Sequence, residues 1–200
     1  FAVVLLMAVL ISVLGLYAIG RVSNQIKDMY ENELQGISDA RAVQFYYADM
    51  GRYLRDALLT NDESDRASAL QLLDKTHRDL SREVAELRKR IFREDNRRRL
   101  ITFDESYAAY RLSTEQVIEL ARRGNLNEAR QSISSREFKL KGDAVAQAME
   151  AVASTKEQAA RTTLKAGQDL AQETRFRGTV LLILGGLLSV LFAWLICPFN

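Results

Sequence analysis

Two stretches of this chain, residues 1–20 and 178–200, contain no charged residue, and every Lys, Arg, Asp and Glu lies between them. Each is about 20 residues long, enough at about 1.5 Å per residue to cross the hydrocarbon core of a bilayer. Neither shows the polar face that a water-soluble helix of that length keeps. The pattern predicts a transmembrane helix over 1–20, a water-exposed domain over 21–177 and a second transmembrane helix over 178–197. A folded module tethered at both ends can send a signal out only through its tethers, which is the arrangement of a receptor.

Between the apolar runs, Leu, Ala, Glu, Lys, Arg and Gln dominate, the only proline of the chain is Pro198, and no strand-like alternation persists. The domain reads as all-α. Three breaks divide it. Thr60-Asn61-Asp62-Glu63-Ser64 carries turn and N-cap chemistry. Glu94-Asp95-Asn96 is a polar step, and Gly124-Asn125-Leu126-Asn127 offers a glycine C-cap followed by an Asn N-cap. Four helices result, over residues 21–60, 64–94, 97–123 and 127–177, with Ser132-Ile133-Ser134-Ser135 interrupting the last. Short turns between long helices make antiparallel neighbours, so the expected fold is an antiparallel up-down four-helix bundle flanked by two transmembrane helices.

Apolar residues at alternating steps of four and three support the bundle. The second helix gives Leu73, His77, Leu80, Val84, Leu87 and Ile91; the third gives Phe103, Tyr107, Tyr110, Thr114, Val117 and Ala121. The fourth gives a weaker series through Val145, Met149, Val152, Lys156, Ala159, Thr163, Ala166 and Leu170. The first helix has two stripes, Val43, Tyr47, Met50 and Leu54 for its own bundle, and Leu34, Ile37, Arg41, Gln44, Ala48, Gly51 and Arg55 for a second copy.

Composition removes several classes. A net charge of +2 lacks the excess of basic residues that nucleic-acid binding needs. One Cys and one His, far apart, leave no internal disulfide and no metal site. No glycine-rich phosphate loop or nucleophile–base pair is present, so the chain is read as non-enzymatic and without a cofactor. The first apolar run has no basic start and no small-residue cleavage site, unlike a signal peptide. Beginning at Phe1 and stopping just after an apolar run, the sequence reads as a piece of a longer protein.

Several ordered motifs carry a resemblance. Met29-Tyr30-Glu31-Asn32-Glu33-Leu34 opens the first helix, and Tyr107-Ala108-Ala109-Tyr110-Arg111 lies in the third. The stretch from Ile118 through Gly124 to Ala129 forms a helix–turn–helix, and Ile196-Cys197-Pro198 follows the second apolar run. Together they resemble the four-helix-bundle ligand-binding region of bacterial methyl-accepting chemotaxis proteins. The resemblance implies a homodimeric receptor of the bacterial inner membrane with its bundle in the periplasm. It implies that residues 198–200 begin a HAMP linker, leading to a CheA-type kinase through a CheW-type adaptor. The same module precedes histidine kinases and diguanylate cyclases, and a bundle anchored twice could also be a non-sensory interaction module.

The ligands of such receptors are small anions, organic acids or amino acids. A carboxylate favours the planar fork of Arg. Arg52 and Arg55 stand where the resemblance implies binding at a dimer seam, although most helix arginines face water. Tyr107 and Arg111, one turn apart, project together, with Thr76 and His77 of the second helix facing them. The competing readings are an aromatic core position for Tyr107 and a hydrogen-bonded core histidine for His77. Asp104 opposes an anion there, while Arg136, Lys139 and Lys141 add positive potential. The basic residues from Arg88 to Arg99 flank the turn at the membrane-near end, where they suit lipid headgroups or plain solvation.

Overall fold

The computed structural model describes residues 2–196, leaving aside the side chains of 2–8, 10, 11, 28, 189, 192, 193, 195 and 196. The expectation for 198–200 lies outside the described residues. Within them the chain is helical: α1 (Ala2–Asp28), a π-helical turn (Met29–Leu34), α2 (Gln35–Leu59), α3 (Glu63–Lys89), α4 (Glu94–Arg122), α5 (Leu126–Ser134) and α6 (Arg136–Ile196). The chain separates into two compact units, one of residues 31–159 and one of residues 1–30 with 160–200.

Residues 31–159 form the bundle. Asp62 caps α3, its carboxylate accepting from the backbone N–H of Ser64 at 2.7 Å and of Asp65 at 3.0 Å. Gly124 ends α4 at φ 80°, a left-handed conformation that costs glycine nothing. The Asn125 N–H then reaches back to the Leu120 carbonyl and the Gly124 N–H to the Ala121 carbonyl, a Schellman closure. Asn125 takes the N-cap position of α5, but its side chain makes no capping bond. The expected interruption of the last helix falls at Ser135.

Cross-helix bonds establish the up-down order. Arg90 at the end of α3 meets Gln35 and Asp39 at the start of α2. On α3 and α4, His77 pairs with Tyr107 and Arg88 with Asp104. Tyr47 of α2 donates to the Gly142 carbonyl of α6 at 2.8 Å, while the earlier Arg41 meets the later Glu150 and Glu157. In each pair one chain direction opposes the other. The core takes in most positions of the predicted seams: Val43, Met50 and Leu54; Leu73, Leu80, Val84 and Leu87; Phe103, Tyr110, Thr114 and Val117; Val145, Met149 and Val152. The last part of the fourth series does not belong to it, since Thr163 and Leu170 are half-buried and Ala166 is exposed.

Three features differ from expectation. The break expected at Glu94-Asp95-Asn96 falls instead at residues 90–93, and those three residues form the first turn of α4, where the two carboxylates suit the helix N-terminus. Six residues of π-helix stand where one unbroken α-helix was expected, so this segment holds an extra residue in its turn. Among the described residues, no helix is long and apolar enough to cross a membrane. Part of each expected span lies on residues whose side chains are not described. The unit of residues 1–30 and 160–200 brings α1 and the later part of α6 together around a groove lined by Leu14, Tyr17, Ala18, Leu181, Arg21 and Arg177.

Candidate functional site

α3 and α4 enclose an open groove of about 460 Å³. Steps of three and four bring one face of each helix to it: His77, Leu80, Val84 and Arg88 from α3, and Phe103, Asp104, Tyr107, Ala108, Arg111, Leu112 and Glu115 from α4.

The floor is an aromatic stack. Phe103 is fully buried and lies nearly parallel to Tyr107, at 5.7 Å between ring centres and 7° between planes. Tyr107 in turn stacks on His77 at 5.8 Å. The Tyr107 hydroxyl and His77 Nδ1 are hydrogen-bonded at 2.5 Å, with the donor set by the imidazole tautomer, and Met50 Sδ lies 3.5 Å from that hydroxyl. Burial raises the phenol pKa of Tyr107, so it keeps its proton at neutral pH. Burial, and then the positive charge of Arg111, lower the pKa of His77, so at neutral pH the imidazole of the folded chain is uncharged.

The rim is ionic. Arg88 holds Asp104 at 2.6 Å, and Arg111 holds Glu115 at 2.7 Å. Both pairs are more than one-third exposed and individually add little to stability. Their importance is that each guanidinium already carries a carboxylate. The repulsion expected from Asp104 is thereby cancelled by Arg88, a partner found only when the two helices are set in register.

The sequence-derived candidates divide. Tyr107, His77 and Arg111 come together in this groove. Thr76 is buried in the core at 7% exposure and does not line it. Arg52 lies on α2, bound to Asp49 at 3.0 Å and to the Tyr53 hydroxyl at 3.0 Å, with its guanidinium 4.7 Å over the Tyr53 ring. Arg55 is exposed on the same helix. Neither α2 arginine reaches the groove. Lys141 bonds Ser113 and Glu137, while Arg136 and Lys139 face solvent. Glu115 was not among the sequence-derived candidates; its place one turn after Arg111 was the signal for it. Lys156 was visible only as an odd charge in an apolar seam, and it is buried.

The histidine gives a pH prediction. In the unfolded chain His77 titrates at the ordinary 6.5, and in the fold it titrates lower. Between the two values the unfolded state binds more protons, so stability falls as the pH drops from 6.5 through the folded value. His77→Gln should flatten that part of the profile. Thermal melts of both proteins between about pH 4 and about pH 8 check it, and parallel profiles would contradict it.

No curated protein matches the chain. A family model described as a four helix bundle sensory module for signal transduction matches residues 1–171. With the aligned seams, the capped turns and the up-down order in place, the chain belongs to this family of sensory four-helix bundles.

Proposed function

We propose that this chain is the sensor region of a transmembrane chemoreceptor, and that it takes a small ligand in the α3–α4 groove. The observation that carries the reading is the pairing of two arginines with two carboxylates around an apolar, aromatic floor. An organic acid would have to evict Asp104 or Glu115 from its arginine and leave that carboxylate alone. A ligand with both a carboxylate and an ammonium exchanges with both halves of a pair. The groove therefore favours an amino acid with an apolar side chain over a simple organic acid.

The sensor would work as a homodimer, with its bundle in the periplasm and its two ends in the bacterial inner membrane. In the unit of residues 1–30 and 160–200, Val13, Leu16, Tyr17 and Ile19 of α1 and Leu182, Ile183, Leu187, Val190 and Trp194 of α6 are exposed. Such uncovered apolar surface supports contact with lipid. Output would pass through a HAMP linker to a CheA-type kinase and CheW-type adaptor. A histidine kinase or diguanylate cyclase output remains the alternative, decided by the residues that follow. Ligand binding can signal only through unequal affinity for two packings of the bundle.

A thermal-shift panel on the full chain tests the ligand class. Apolar amino acids should raise Tm in a saturable way, by an increment equivalent to about 2.7 kcal/mol at a hundredfold excess over Kd. Arg111→Ala should weaken that binding by about tenfold or more, because Glu115 is left to repel the ligand carboxylate. Equal shifts from organic acids, or none from any compound, would reject the reading.

A further inference from the structure

Lys156 is an ammonium in the core of the bundle, 2% exposed, at a seam position of α6. Its three donors have three acceptors: the Asn32 carbonyl at 3.0 Å, the Glu33 carboxylate at 3.3 Å and the Arg90 carbonyl at 2.5 Å. Gly36 leaves the space for its stem, since a Cβ there would stand 3.0 Å from Lys156 Cε and 3.1 Å from Nζ. Arg90 closes the network by sending its guanidinium to Asp39 at 2.6 Å and to Gln35 at 3.1 Å. One lysine thus ties α6 to the end of α3 and to the segment that precedes α2.

That segment is the π-helical turn. A π-turn carries one residue more than the α-helix it interrupts, and such turns occur frequently at functional sites. Two of the three groups that Lys156 holds, the Asn32 carbonyl and the Glu33 carboxylate, belong to it. An apolar side chain at residue 156 would fill the seam without the desolvation cost of a buried charge. Burial indeed lowers the pKa of this lysine, against the pull of Glu33. The charge therefore gives register rather than net stability, as buried polar groups do in coiled coils.

We propose that Lys156 is a latch that holds residues 29–34 in their π-helical register, and that its release lets the segment relax to an α-helix. Relaxation by one residue changes helical phase by about 100° and rise by about 1.5 Å. It supplies a two-state element of the kind that packed bundles use to pass a signal. This rests on the sensor reading for its purpose, but not for its test.

The test is backbone hydrogen exchange on the full chain, comparing wild type with Lys156→Met and Glu33→Gln. Exchange over residues 29–36 should rise by about tenfold or more in Lys156→Met and by less in Glu33→Gln, with residues 100–121 unchanged. Deleting Tyr30 removes the extra residue, so Lys156→Met in that background should have no further effect on the segment. Unaltered exchange in both variants would overturn the latch, as would an equal effect of Lys156→Met with and without the deletion. Should Lys156→Met fail to fold, Glu33→Gln with and without the deletion carries the same expectations. A chain that binds no amino acid yet shows these changes would reject the ligand reading alone.

Discussion

Phe103→Ala should cost about 3–5 kcal/mol of folding stability, the largest loss expected from a single substitution in this chain. Phe103 is fully buried, and its ring supports Tyr107, which supports His77. Removing it forfeits the transfer energy of the ring and leaves a void that helices α3 and α4 close only in part. Tyr107 would tip into that void and give up its contact with His77, so ligand affinity should fall with stability. Phe103→Leu keeps most of the volume and should cost about 1.5 kcal/mol or less. Chemical denaturation of the three proteins measures both values. A loss of under about 1 kcal/mol for Phe103→Ala would mean that the stack does not organise the groove.

Arg90→Ala should be the second largest, about 2–3 kcal/mol at neutral pH, and its size should depend on pH. The Arg90 and Asp39 side chains are 24% and 14% exposed, and they lie 2.6 Å apart. Burial already raises the Asp39 pKa above 3.8, outweighing the pull of Arg90. Without the guanidinium the pKa rises further, because nothing replaces the main favourable charge. Between 3.8 and the raised value, the folded state holds more protons than the unfolded state. Stability of the variant is therefore regained as the pH falls through that value, and the deficit against wild type narrows. Asp39→Asn in the Arg90→Ala background should recover part of the loss at neutral pH. A deficit that stays constant from neutral to mildly acid pH would remove the buried carboxylate from the explanation.

Much of the bundle was legible because burial follows helical periodicity. Leu73, Leu80, Val84 and Leu87 on one helix, and Phe103, Tyr110, Thr114 and Val117 on another, are core because alternate steps of four and three place them on one face. Two of the turns were legible because Asp62 and Gly124 have narrow conformational uses. The third was set too late, at Glu94-Asp95-Asn96, because residues 90–93 contain no glycine, proline or capping side chain to mark it. The π-turn was not: Met29–Leu34 contains no glycine or proline, and its extra residue is held by Lys156, 124 positions from Asn32. Of the site, Tyr107 with Arg111 followed from one-turn spacing, and His77 from its seam. Thr76 was misplaced because the adjacent residue on a helix points about 100° away, here into the core. The Arg88–Asp104 pair depends on the register between two helices, which no local pattern encodes.

Calorimetric titration of an apolar amino acid into the full chain, beside Arg111→Ala and Arg55→Ala, decides whether the ligand sits in the α3–α4 groove. Binding to wild type and to Arg55→Ala with equal affinity, together with its loss in Arg111→Ala, is the predicted result. Binding that survives in Arg111→Ala and disappears in Arg55→Ala would contradict it, and would move the site from the α3–α4 groove to the exposed face of α2.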